Sequence, residues 1–314
     1  MSAVNVRLHG NTLMSTPYTE WAWPWWTVMV SINVINLIVG IIVYRKSLYP
    51  VDGHDFVYRK WMRIMGVIFV AVGLYRSIFV SMYFSQLAWF DSMANSVLLI
   101  RILAWAAELS FSGQIALAML KVNVDLHGVE STDSAKNYNR SFMMTKTPYI
   151  LWICIFLAQF FATGGLILKS KTLFAVEETL WMVGFLSILP LAIMQLRRVA
   201  DINDVKAMER FRLIQNFTRL NLAWCLIYCC YSLLYHLPFE CWPSAIHQLE
   251  TGFPLIKTGL SSIKDAFMIV YESKAYSDWG FGFLFWHSAY FSICVWISIF
   301  MMQAPRVIHQ DICD

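Results

Sequence analysis

The apolar run LIRILAWAAELSFSGQIALAML at residues 99–120 carries two charges, Arg101 and Glu108, and the apolar stretch before it carries Arg76. A charge at bilayer depth costs at least about 2.5–3.5 kcal/mol, so such side chains face protein or water and pair there. A cation in that position attracts an anionic group. A carboxylate beside it tunes the charge or relays a proton.

Helical rise of about 1.5 Å per residue places Arg76 roughly 12 Å, Arg101 roughly 6 Å and Glu108 roughly 16 Å below the outer surface. Side chains lean toward their own helix N-terminus, which brings Arg76 and Glu108 to one level. The sequence therefore predicts a structural ion pair between Arg76 and Glu108, with Arg101 snorkelling outward or free to meet an anion.

Other polar residues fall at helical spacing in the apolar runs. Arg101, Trp105, Glu108 and Ser112 form one stripe, and Asn221, Cys225, Tyr228, Ser232 and Tyr235 form another. His287, Cys294 and Ser298 form a third, and Asn33 and Asn36 a short fourth. Such stripes build a polar interior or serve as ordinary packing between membrane helices. The residues expected to line a ligand or ion pathway are Arg76, Arg101, Glu108, His287, Asn33, Asn36, Tyr228 and Tyr235.

These residues need helices to hold them. The chain of 314 residues is 58% apolar and 14% charged. Soluble domains carry about 25% charged residues, so the composition is that of a membrane protein. A bilayer core of about 30 Å takes roughly 20 apolar residues in a helix. Seven segments qualify, at 25–44, 64–84, 97–117, 149–168, 179–196, 220–237 and 281–302. The predicted fold is all-α, a polytopic bundle of about seven transmembrane helices in a multi-pass integral membrane protein.

Sixteen Lys and Arg flank one side of these spans and six the other. The positive-inside bias then puts the N-terminus outside and the C-terminus inside. The sequons at Asn139 and Asn216 fall on the inner side and are expected to stay unglycosylated. The N-terminus shows no cleavable signal pattern.

The predicted organisation is an outer N-terminal tail with an aromatic belt at 1–24, the membrane domain at 25–302 and an inner C-terminal tail at 303–314. The belt is Trp21, Trp23, Trp25 and Trp26 around Pro24. A basic amphipathic segment at 197–213 faces the inner leaflet. A cap loop at 238–280 crosses the outer face, broken by Pro238, Pro243 and Pro254. Ile256, Leu260, Ile263, Phe267 and Val270 then predict a short amphipathic helix within it. Pro190 is expected to kink the fifth span.

Several functions lose support. The seventh span has no lysine for a retinal Schiff base, and no two histidines stand three or four residues apart. No phosphate loop, nucleophile elbow or zinc-protease motif is present. The seven cysteines suggest neither a disulfide framework nor a zinc site. No cofactor, metal or nucleic acid is expected. The first reading is a channel, transporter or receptor with an outward-facing polar cavity for an ion or small anionic ligand. The second is a non-catalytic accessory subunit of a larger membrane complex, which makes a homo- or hetero-oligomer in the membrane the expected partner beside lipid. The third is an intramembrane lipid-modifying enzyme with Glu108 and His287 as acid and base, for which the sequence offers no positioned nucleophile.

Overall fold

The computed structural model describes residues 22–46, 55–129, 142–201, 205–268 and 271–305. Trp21, Asn139 and the tails at 1–21 and 306–314 lie outside the described residues.

The chain is an all-α bundle, and seven of its helical stretches are long and apolar enough to cross a membrane. Helices α1 (Trp23–Lys46), α2 (Phe56–Ile78), α3 (Val97–Val129), α4 (Phe142–Leu168) and α5 (Lys171–Ala200) follow in order. Each packs on the next. Helix α6 (Val205–Tyr231) packs on α5 and passes through a π-helical segment, Ser232–Cys241, into α7 (Trp242–Thr251). The cap contains α8 (Leu260–Phe267) and a single turn, α9 (Tyr276–Trp279). The last span is α10 (Phe281–Ala289), a π turn at Tyr290–Cys294 and α11 (Val295–Met301), which closes back on α2, α1 and α3.

The observed spans differ from the sequence expectation chiefly at their ends. The second begins at Phe56 and ends at Ile78 rather than running from 64 to 84. Arg59, Lys60 and Arg63 extend it at the basic end, with Arg63 buried in the bundle. The fifth begins at Lys171 rather than 179. Ser170 caps it, its hydroxyl accepting from Leu173 N at 3.4 Å.

The cap expectation is corrected at its start. Pro238 and Pro243 do not break the chain into a loop there. Pro238 sits inside the π segment and Pro243 in the first turn of α7, where a missing N–H costs least. The stretch Arg212–Thr251 is thus one helical rod of 40 residues. A short cap helix stands at α8, but it buries Ser262 and Ala266 and leaves Leu260 and Ile263 of the expected apolar face exposed, while Ile256 precedes it and Val270 lies outside the described residues. The basic 197–213 segment is divided between two helices, since α5 ends at Ala200 and α6 begins at Val205. Both α4 and α5 continue through a proline, Pro148 and Pro190.

A small three-stranded sheet fastens the cap to the bundle. Strands β1 (Ser81–Met82) and β2 (Leu87–Ala88) pair antiparallel, and β3 (Tyr271–Glu272) adds parallel to β2. The tryptophans of α1 join this region. Trp23, Trp25 and Trp26 surround the fully buried Trp89, with Trp26 stacked on it at 5.8 Å and Trp279 at 5.8 Å on the cap side. Away from the cap, the interior fills with Ile115, Ala118, Met119, Val122 and Leu126 of α3 against Phe185 and Ile188 of α5.

Candidate functional site

A cavity of about 530 Å³ opens at the cap end, between α2, α3, α5, α6 with its π extension, and α10. Its lining includes Arg76, Tyr83, Arg101, Glu108, Lys171, Glu177, Glu178, Tyr228, His236, Glu240, Cys241 and His287. It ends at Phe111 and Trp224, beyond which the apolar core is interrupted by a small void of about 10 Å³ lined by Phe217, Asn221, Trp224 and Met301 among others.

Close helix approach sets the cavity floor. A methyl group at Gly165 would lie 2.8 Å from Phe174 Cδ2 and 3.2 Å from Ser170 O, and one at Gly184 3.2 Å from Leu151. Glycine at both positions lets α4 and α5 run side by side as a hairpin. That hairpin presents Gln159 and Glu177 to the charged face of α3. Arg101 Nη2 lies 3.1 Å from Glu108 Oε2 and 3.3 Å from Glu177 Oε1. It donates to Gln159 Oε1 at 2.6 Å, and Gln159 Nε2 donates to Glu108 Oε2 at 2.8 Å. The guanidinium is 3% exposed and the two carboxylates nearly as buried, and one oxygen of each carboxylate is paired with the guanidinium.

This geometry corrects the predicted Arg76–Glu108 ion pair. Glu108 pairs with Arg101, two turns away on its own helix. It also corrects the snorkelling of Arg101, which folds inward. The cause is Glu177. With α5 starting at Lys171, this carboxylate stands nearly two turns inside the bundle rather than in a loop, and two carboxylates with an amide outweigh the outward lean of an arginine.

Arg76 takes a different position. Its Nη2 donates to Tyr83 OH at 2.9 Å, and its guanidinium lies 4.9 Å from the Phe291 ring centre and 5.9 Å from that of Tyr83. Among the described residues no carboxylate lies within ion-pair distance of it. Tyr83 is held by the β1–β2 turn. Gln86 of that turn donates to the carbonyls of Asp265 and Met268, the latter at 3.0 Å, and accepts from Lys169 at 2.7 Å. Lys171 Nζ sits 3.4 Å over the Phe84 ring of the same turn.

The facing wall is acidic. Glu178 Oε2 lies 3.5 Å from Tyr228 OH and 3.6 Å from His236 Nε2. His236 Nδ1 lies 2.7 Å from Glu240 Oε2, and Cys241 Sγ 3.4 Å from His236 Nε2. His287 is buried with its ring 4.4 Å from Phe291 and 5.2 Å from Trp25, and its Nδ1 has no hydrogen-bond partner among the described residues.

The structure thus brings Arg76, Arg101, Glu108, Tyr228 and His287 to one cavity and leaves three predicted residues out. Asn33 donates to Ser77 Oγ at 2.8 Å, and Asn36 accepts from Trp296 Nε1 at 2.7 Å, so both tie helices together outside the cavity. Tyr235 lies on the outer surface, half exposed, against Tyr231 and Phe239. Its stripe keeps α-helical spacing to Ser232. The π segment then changes the angle per residue and turns Tyr235 away.

Sequence reasoning missed Gln159, Glu177 and Glu178. The adjacent acids at 177–178 and the cap-forming Ser170 before them were the available signal. It also missed His236, Glu240 and Cys241, whose spacing carries meaning only once residues 232–241 are helical. No protein-family model, curated protein or solved structure matches the chain.

Proposed function

We propose that this multi-pass membrane protein is a receptor or carrier that takes a small anionic compound into the cap-end cavity, with Arg76 contacting its negative group. The observation that carries this reading is a guanidinium lining a 530 Å³ cavity with a tyrosine hydroxyl and two aromatic faces around it and, among the described residues, no carboxylate within ion-pair distance. A cation at that depth favours any anion able to reach it, and Arg presents a planar fork that suits carboxylate or phosphate. Lys171, at the same turn, adds a second positive charge. Arg101 is already neutralised and serves as the floor.

The apolar core beyond Phe111 favours a binding site closed at its far end over a standing pore. The cavity mouth is at the end of the bundle with fewer Lys and Arg, the expected outer face.

The test is ligand-dependent thermal stability of the purified chain in detergent, with a panel of small carboxylates and phosphates. A bound ligand stabilises in proportion to the logarithm of its concentration over Kd, about 2.7 kcal/mol at a hundredfold excess. One anion class is expected to raise the melting midpoint saturably, with the effect lost in Arg76→Gln and partly kept in Arg76→Lys. A panel with no saturable effect on the wild-type protein contradicts the proposal.

A further inference from the structure

His236, Glu240 and Cys241 stand on the wall of the cavity opposite Arg76 and take no part in the function just described. Their positions depend on the π segment. On an α-helix, residue i+4 falls about 40° from residue i, but i+5 about 140° away. The wider π turn brings i+5 beneath i, so one ring meets both Glu240 and Cys241. His236 Nδ1 lies 2.7 Å from Glu240 Oε2 and its Nε2 3.4 Å from Cys241 Sγ; with the ring proton on Nδ1, Nε2 is the atom that accepts the thiol proton. Nucleophile, base and orienting carboxylate stand in the order that thiol catalysis requires.

We propose that Cys241, His236 and Glu240 form a nucleophilic thiol site at the cavity wall that accepts an acyl group from an ester or thioester. Two further observations support a reaction there. Glu178 Oε2 lies 3.6 Å from Nε2, where it stabilises the imidazolium formed when the thiol gives up its proton. Lys171 lines the same cavity and supplies a cation for the oxygen that becomes negative.

The steps balance without an oxidant or reductant. The thiol proton moves to His236 Nε2. Sγ attacks the acyl carbon, a C–S bond forms, and the carbonyl electron pair moves to oxygen. The tetrahedral adduct collapses as the bond to the leaving alcohol or thiol breaks, and the leaving group takes the proton from His236. Water, deprotonated by His236, then attacks the thioester, releasing the carboxylic acid and restoring the Cys241 thiol.

The experiment uses the full chain in detergent and two uncharged probes, so its failure leaves the anion-binding proposal standing. Iodoacetamide alkylation of Cys241 is followed by mass spectrometry from pH 5 to 9, with N-acetylcysteine as the reference thiol. p-Nitrophenyl butyrate is then mixed with the protein and nitrophenolate release recorded. The expected result is alkylation of Cys241 at pH 6 at least about tenfold faster than the reference. With the ester, a burst of one nitrophenolate per chain and a butyryl adduct on Cys241 are expected, both absent in Cys241→Ser. Glu240 is a positioning residue. Glu240→Gln should move the alkylation profile toward that of an ordinary thiol. The wild-type readings stand alone if a variant fails to fold. An ordinary alkylation profile in the wild type overturns the proposal, and so does fast alkylation with no butyryl adduct.

Discussion

Replacing Arg101 by Met, which keeps length and removes charge, should be the most damaging single change in the cavity floor. At an effective dielectric near 20, the attraction of Arg101 for Glu108 at 3.1 Å is about 5 kcal/mol, and that for Glu177 at 3.3 Å is about the same. Several kcal/mol of lost hydration per ion offset most of this. The net consequence comes from what the variant leaves behind. Two buried carboxylates would face each other without their cation, and breaking a buried pair in that way costs about 3–5 kcal/mol. Glu177→Gln should cost under about 1 kcal/mol. It leaves one cation with one anion and keeps an acceptor for the guanidinium. The two changes together should cost less than the sum of the separate losses, because the second relieves repulsion that the first creates. Unfolding in mixed micelles, with each variant compared in the same detergent, measures all three. The reasoning is refuted if Arg101→Met costs under about 1 kcal/mol, or if Glu177→Gln costs as much as Arg101→Met.

Other consequences follow from particular contacts. Gln114 donates to Met62 O at 2.8 Å and accepts from Ser298 Oγ at 2.6 Å, joining α2, α3 and α11. Gln114→Leu should lower unfolding stability by about 1–3 kcal/mol, since it strands polar groups in the core. A methyl group at Gly66 would run into Met302 and touch Gln114, so Gly66→Val should cost about 1–3 kcal/mol through displacement of the last helix. In the cap, the Lys257 ammonium beside Asp265 holds that carboxyl below the usual carboxylate range. A depressed folded-state pKa contributes stability above the unfolded value, near 3.9, that is lost as pH falls through the lower folded value. Limited proteolysis with an acid-active protease should therefore find the 252–268 segment more open at pH 3 than at pH 5, and Asp265→Asn should remove that difference. Equal cleavage of the wild type at both values would remove Asp265 from the cap's anchoring.

The bundle was legible because apolar runs of about 20 residues have few alternatives to a membrane helix, and all seven appear. Helix ends were less legible. Arg59, Lys60 and Arg63 read as loop, and so did the stretch from Lys171 to Glu178, because polar residues in the outer turns of a membrane helix carry the same composition as a connection. That error hid Glu177 and so produced the wrong partner for Glu108. Charge depth on α2 and α3 was estimated well enough to send Arg76, Arg101 and Glu108 to one cavity. Which pairs with which depended on α4 and α5, whose approach is set by Gly165 and Gly184. The residues around His236 were illegible for a different reason. Pro238 and Pro243 signal a break, and nothing in the local pattern announces that a π segment absorbs the first and a helix start the second.

The most direct test of the proposed binding role is native mass spectrometry of the chain extracted in mild detergent from its own membrane. The account predicts a particle of this chain carrying a small anionic compound, released on collisional activation and missing from Arg76→Gln prepared in the same way. A chain recovered only with stoichiometric protein partners, its cavity carrying no small molecule in the wild type or the variant, would contradict that role and favour an accessory subunit.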